Sequence, residues 1–275
     1  MNAQPKPITI VTGASRGIGA AIAAQLTRDG HHVIGTSRSG SGGAQGADMR
    51  PLDLTNGDSV TALVESVIAD HGRIDIVVNN AAQTTVAPAE ELPIAEAQKL
   101  LDVNYLGPIR LSQAVLPHMR RARRGRLVFI SSLGGLIGIP GQGQYCASKH
   151  ALEGWADALS LELRQFGIDV SLVEPGSYRT DIIATSARPD WVTLPVYDGY
   201  REHLRDSIET MTEAGGDPAK VAAIVSKVVA AKRPKLRYRS EMDGKTATFF
   251  RRTMPQRAFY NVIAKRFGAA APAAA

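Results

Sequence analysis

The sequence predicts an α/β fold: a doubly wound parallel sheet with helices on both faces. Two observations carry that expectation. Short runs rich in Val and Ile alternate with longer stretches of helical spacing, and a glycine-rich turn joins the first run to the first helical stretch. Ile8–Thr12, Val33–Thr36, Ile74–Val78, Leu127–Ile130 and Val170–Val173 each read as a strand buried on both faces. Met49–Leu52 is a further short strand and Leu236–Arg239 a last one. Between them, Ile18–Arg28, Ser59–Ala69, Lys99–Met119 and Tyr145–Gln165 carry helix-like spacing. Right-handed crossovers turn this order into a sheet wound in both directions from its first strand. After Thr180 the rhythm breaks into a stretch dotted with Pro189, Trp191, Pro195, Tyr197 and Tyr200. It resumes at Asp217, an N-cap for a helix over 218–231.

Composition narrows the function classes. The chain has 275 residues, 44% hydrophobic and 21% charged, enough for one large globular domain. Its one cysteine, Cys146, excludes an internal disulfide and a cysteine-based zinc site. No apolar run approaches the roughly 18 residues that span a bilayer, and the opening MNAQPKPITIVTGAS is no secretory signal, so a cytoplasmic setting is expected. Lys and Arg exceed Asp and Glu by nine over 232–267, more than the whole chain's +6. The basicity is therefore local, and Arg120, Arg121, Arg123, Arg124 and Arg126 read as a solvated helix end. Without a helix-turn-helix, zinc-finger or RNA-binding aromatic motif, no nucleic-acid partner is expected.

The first strand runs into Thr12-Gly13-Ala14-Ser15-Arg16-Gly17-Ile18-Gly19. Glycines permit a tight turn and close backbone approach, and the helix start offers N–H groups to a pyrophosphate. The second strand ends Gly35-Thr36-Ser37-Arg38, where a carboxylate would bind the ribose 2′-hydroxyl of NAD. Arg38 attracts a 2′-phosphate instead, with Arg16 approaching from the glycine loop, so NADP(H) is favoured over NAD(H). Tyr145 and Lys149 stand one helical turn apart, an arrangement in which an ammonium and a helix N-terminus draw a phenol toward ionisation. Ser132, at the end of the strand that starts at Leu127, can hydrogen-bond a carbonyl oxygen that Tyr145 protonates. His31, His32, His71, His118, His150 and His203 form no spaced ligand set, so no metal is expected.

Together, Thr12–Gly19, Asn79-Asn80-Ala81, Asn104, Ser132, Tyr145-x-x-x-Lys149 and Pro175-Gly176…Thr180 resemble the short-chain dehydrogenase/reductase family over residues 8–180. The resemblance implies a Rossmann-like single domain over 1–275 with a C-terminal helical extension. It implies an oxidoreductase that interconverts a small-molecule ketone or aldehyde and an alcohol. Tyr145 is then the acid–base, Ser132 polarises the carbonyl, Lys149 lowers the Tyr pKa and binds the nicotinamide ribose, and Asn104 holds a water that links Lys149 to solvent. The cofactor residues it implies are Gly13, Ser15, Arg16, Gly17, Ile18, Gly19, Ser37, Arg38, Asp53, Leu54, Asn80, Ala81, Pro175, Gly176 and Thr180, with Tyr145 and Lys149. A homo-oligomer, paired through helices near Leu101–Met119 and Tyr145–Gln165, is implied too. The sequence departs from the family at Ala82, where Gly is usual, and at Tyr178, where a small aliphatic residue is common.

Residues 181–216 match the family's substrate loop in position. Trp191, Leu194, Val196, Tyr197 and Tyr200 line an apolar cavity on one reading and form a helical cap on the other. The segment Asp217–Arg239 is similar to the 17β-hydroxysteroid and retinol dehydrogenases, which implies a lipophilic substrate. In the basic extension, 240–268, Phe249, Phe250, Phe259, Tyr260, Val262, Ile263 and Phe267 are interleaved with cations. It lies on an anionic membrane or closes over the cleft or a subunit neighbour; the second reading is preferred because its apolar residues are few. A non-catalytic NADP(H)-binding sensor and a nucleic-acid binder are the rival functions.

Overall fold

The computed structural model describes residues 6–180, 191, 193–240, 249–251 and 253–269. Seven strands form one sheet: β1 (Ile8–Val11), β2 (His32–Ser37), β3 (Asp48–Pro51), β4 (Ile76–Asn79), β5 (Gly125–Ile130), β6 (Ile168–Glu174) and β7 (Arg237–Arg239). Their order is β3-β2-β1-β4-β5-β6-β7 and every pairing is parallel. The chain builds outward from β1 through β2 to β3, then returns to place β4 on the other side of β1. Loops leaving β1 and β4 therefore diverge at the strands' carboxyl ends, which opens a crevice there.

Two apolar layers cover the sheet. Helices α1 (Gly17–Arg28) and α7 (Pro218–Ala230) pack on one face through Ile22, Leu26, Val221 and Val225; α2 (Gly57–His71), α4 (Gly107–Ala122) and α5 (Gly143–Glu162) cover the other through Val64, Leu111 and Leu152. Side-chain caps fix two helix starts, of which the sequence reading anticipated the one at Asp217. Asn56 accepts hydrogen bonds from the Asp58 and Ser59 N–H groups at 2.8 and 3.2 Å to start α2, and Asp217 accepts from Ala219 N at 2.8 Å to start α7. From the Arg cluster, Arg126 donates to the Val228 carbonyl at 3.0 Å and to those of Val229 and Ala231, closing the carboxyl end of α7.

Two expectations need correction. The single helix expected over Lys99–Met119 is in fact α3 (Ile94–Leu101), a π-helical turn (Asp102–Leu106) and α4. Pro108 has no N–H to give the Asn104 carbonyl its ordinary partner four residues on, and the Gly107 N–H reaches back five residues, to Asp102. The stretch expected as an irregular loop also holds a sixteen-residue helix, α6 (Asp198–Glu213). Leu204 and Ile208 on α6 join Phe267, Ile263, Tyr200, Met211 and Ile139 in a third apolar cluster. That cluster seats α8 (Gln256–Arg266) against α6. Residues 181–190 and 192 of the substrate loop, and 241–248 and 252 of the extension, lie outside the described residues. No described helix is long and apolar enough to cross a membrane.

Candidate active site

The crevice at the carboxyl ends of β1, β2, β4, β5 and β6 is a cleft of about 630 Å³. Its first wall is the turn after β1. Gly13 and Gly17 adopt φ of +66° and +56°, open to glycine at little cost. Gly19 answers a different demand: a Cβ there would stand 2.0 Å from the Gly13 carbonyl oxygen. Thr12 fixes the turn to β4, its Oγ1 accepting from Asn80 N at 2.9 Å and Ala81 N at 3.0 Å, while Asn80 Nδ2 donates to the Thr12 carbonyl at 2.9 Å. Thr180 abuts the same turn, with its Cγ2 3.5 Å from where a Gly17 Cβ would sit.

Ser37, Arg38, Asp53 and Leu54 line the far end of the cleft. Ser37 Oγ donates to the Ser41 carbonyl at 2.9 Å, which holds the loop after β2. Asp53 accepts from Thr55 N at 2.9 Å and Thr55 Oγ1 at 2.7 Å, and these bonds keep its carboxyl below the usual range. Pro175 and Gly176, after β6, line the cleft as well.

Ser132, Tyr145 and Lys149 meet at the centre. Ser132 follows β5 and caps a short helical turn, its Oγ accepting from Gly134 N at 3.0 Å. Gly134 leaves room for the Tyr145 ring, since a Cβ would come within 3.1 Å of Cε1. Lys149 is buried, its Nζ donating to the Ile130 carbonyl at 2.9 Å and lying 5.9 Å from the Tyr145 ring centroid. Burial dominates both ionisations. It pushes the Tyr145 phenol up to about 12, with the Ser132 hydrogen bond acting the other way, and it pushes Lys149 down to about 8 against the pull of Glu153. Desolvation is the largest influence on the phenol, and Lys149, itself buried, turns its ammonium to the Ile130 carbonyl.

Every residue expected at the site lines this cleft except Asn104. Asn104 is fully buried in the π-turn. Its Oδ1 accepts from Gln83 N at 2.8 Å, and its Nδ2 donates to the Gln83 carbonyl at 2.8 Å and to Ser148 Oγ at 3.0 Å. The side chain thus ties α5, which carries Tyr145 and Lys149, to the loop after β4. Ala82 and Tyr178, the two departures, both line the cleft.

From the substrate loop, Ile208, Met211 and Thr212 on α6 line the cleft. Of the five residues read either as cavity lining or as a helical cap, none lines the cleft: Tyr200 packs in the third cluster with α6, Val196 is 82% exposed, and Tyr197 donates outward to Glu90 at 2.8 Å. Sequence reasoning passed over Ile208 and Met211 because the helix that presents them was not recognised. It also passed over Thr84 and Gln142, which line the cleft and bond each other at 3.1 Å but belong to no spaced motif.

With this geometry in hand, comparison with known proteins decides the family. The sequence profile described as short chain dehydrogenase matches residues 7–190. The chain belongs to the short-chain dehydrogenase/reductase family. It is 39% identical to a 3-ketodihydrosphingosine reductase of Bacteroides thetaiotaomicron, covering 85% of this chain and 87% of that one. Human retinol dehydrogenase 8 is 34% identical over 86% of this chain and 82% of its own length; human 17-beta-hydroxysteroid dehydrogenase type 1 is 32% identical over 85% and 77%. Among solved structures, a short-chain dehydrogenase from Streptomyces avermitilis superposes with a TM-score of 0.80 at 30% identity, covering 97% of this chain and 98% of that one. A metagenomic short-chain oxidoreductase in complex with NADP gives 0.65 at 30% identity, over 86% and 98%. The protein is an oxidoreductase of this family with a seven-stranded parallel sheet.

Proposed function

We propose that this oxidoreductase uses NADP(H) to reduce a lipophilic ketone, and in reverse to oxidise the matching alcohol. The observation that carries the reading is the meeting of Ser132, Tyr145 and Lys149 in the cleft that the glycine turn and Arg38 also line. The turn fits a dinucleotide because its glycines leave a cradle that a side chain at Gly19 would fill. NADPH, when bound, supplies the hydride that the carbonyl carbon accepts.

The chain's own groups do the rest. The Gly13–Gly19 turn and the start of α1 hold the pyrophosphate, and Arg16 and Arg38 meet the 2′-phosphate. Asp53 and Leu54 would flank the adenine and Thr180 the nicotinamide carboxamide, while Asn80, Ala81, Pro175 and Gly176 line the same cleft. Ser132 Oγ hydrogen-bonds the carbonyl oxygen. Tyr145, with its phenol near 12, stays protonated at neutral pH and delivers that proton as the alkoxide forms. Lys149 is mostly charged at pH 7 and supports the phenolate left behind. Asn104 holds α5 in place through Ser148. Relatives named for a ketosphingoid base, retinol and a steroid support a lipophilic substrate, as do Leu133, Ile139, Ile208 and Met211 along the cleft. Leu106 and Leu161, 40% and 63% exposed on the helical path through α4 and on α5, are where we place self-association.

A screen of NADPH oxidation over ketones of increasing size tests the reading, from small keto esters to steroids, retinoids and 3-ketodihydrosphingosine. Turnover should appear with the long or polycyclic ketones and be at least about tenfold weaker with NADH. Tight NADPH binding with no turnover on any ketone would replace the enzyme by a cofactor sensor.

A further inference from the structure

At the edge of the sheet opposite the cleft, three side chains that are far apart in sequence meet. His32 opens β2 and Asp48 opens β3. The register sets Ile34 beside Asp48, so strand alternation puts His32, Ile34 and Asp48 on one face, the face that α2 covers. His71 is the last residue of α2, which Gly72 ends at φ +71°. One nitrogen from each imidazole and one oxygen of Asp48 all lie within 4.8 Å of one another. The two rings touch, with centroids 4.5 Å apart. His32 Nε2 and His71 Nε2 are both buried and have no hydrogen-bond partner among the described residues. Two neighbouring imidazole nitrogens, withdrawn from water and unpartnered, are an arrangement that a shared cation would resolve.

We propose that His32, Asp48 and His71 bind a divalent transition-metal ion of the Zn²⁺ class. Two imidazole nitrogens and one carboxylate oxygen are the donors Zn²⁺ takes, whereas Mg²⁺ and Ca²⁺ call for oxygen alone. Around a tetrahedral ion with ligands at about 2.1 Å, donor atoms stand about 3.4 Å apart. Side-chain rotation that draws the three atoms in by up to about 1.4 Å therefore closes the site. Asp48 is 39% exposed in its side chain, which leaves solvent access for a water as fourth ligand. Arg50 faces the cluster, paired with Asp48 Oδ2 at 2.7 Å and Asp70 Oδ2 at 2.8 Å, and those two carboxylates offset its charge.

The ion would join β2, the edge strand β3 and the end of α2, clipping the margin of the sheet. It sits at the amino ends of the strands, away from the cleft at their carboxyl ends. It takes no part in carbonyl reduction, and the inference stands independently of that function.

The test uses the full chain without a histidine tag, stripped of metal and titrated with Zn²⁺ against a chromogenic chelator, with Co²⁺ as the spectroscopic probe. One Zn²⁺ should bind per chain and raise the melting temperature, and Co²⁺ should give the visible absorption of a tetrahedral site. His71→Ala, at a helix end, should lower Zn²⁺ affinity at least about tenfold and abolish both signals, with oxidoreductase turnover intact. Asp48→Asn should weaken binding as well, while His118→Ala, on α4 and outside the cluster, should change nothing. Absence of one-to-one binding in the unmodified chain, or equal affinity in folded His71→Ala, would overturn the assignment.

Discussion

Along β1 the wall of the cleft is drawn by backbone: Gly13 and Gly17 turn through positive φ, Gly19 lies against the Gly13 carbonyl, and Thr12 and Asn80 stitch the turn to β4. Across the cleft the wall is drawn by packing. There α6 presents Ile208, Met211 and Thr212, is backed by Phe267 and Ile263 after and within α8, and is held by Arg201 on the buried Glu91 at 2.9 Å. A backbone wall tolerates few residue types and fixes one ligand shape, as a shared cofactor requires. A packed wall keeps its function through many side-chain combinations, as a variable substrate requires. If that division holds, changes on the first wall alter cofactor binding and changes on the second alter ketone selection.

Gly19→Ala should have the largest effect. Its methyl meets the Gly13 carbonyl, the turn must open, and NADPH affinity should fall at least about a hundredfold by fluorescence titration; unchanged affinity would place the cofactor elsewhere.

Lys149→Met comes next and separates catalysis from stability. Turnover should drop at least about a hundredfold, yet the protein should become more stable. Lys149 falls from 10.5 in the open chain to about 8 when folded, so the folded state releases its proton first. Stability then rises as pH climbs from about 8 toward 10.5, and below 8 the whole penalty is present. At pH 7 that penalty is on the order of 3 kcal/mol, which a neutral Met removes. Urea denaturation of both proteins at pH 7 checks it. In the unmodified enzyme, ketone reduction should decline above about pH 8 as the ammonium is lost.

Arg38→Leu should weaken NADPH roughly 10- to 150-fold, the span of one charge-assisted hydrogen bond, and leave NADH nearly unchanged. Equal losses for both cofactors would remove Arg38 from the 2′-phosphate. The smallest effect belongs to the second wall. Phe267→Ala loosens the support of α6 and should raise KM for bulky ketones several-fold while NADPH affinity stays within about twofold. A shift in NADPH affinity instead would break the division of the two walls.

The same division explains what could be read from the sequence. Ser132 and the Tyr145–Lys149 pair, ordinary by spacing alone, stood out only through the family resemblance of the whole set, whereas the turn Thr12–Gly19 was legible because backbone conformation restricts residue type there. The alternating sheet was legible for the same reason, down to β7. The break at the π-turn was hidden because Pro108 sits in a run of otherwise ordinary helical spacing. The phenol's upward shift was hidden because burial, unlike the nearby Lys149, leaves no mark in sequence. On the packed wall, Tyr197 and Val196 drew attention as large apolar residues and proved to face outward, whereas Ile208 and Met211 acquire meaning only once α6 rests on its neighbours.

In the proposed reaction Tyr145 gives its proton to the carbonyl oxygen in a cleft that binds NADPH independently of it. Parallel measurement of NADPH affinity and ketone turnover in Tyr145→Phe tests this most directly, since the ring stays and the proton goes. Affinity should stay within about twofold and turnover fall by at least about a hundredfold; turnover close to that of the unmodified enzyme would remove Tyr145 as the proton donor.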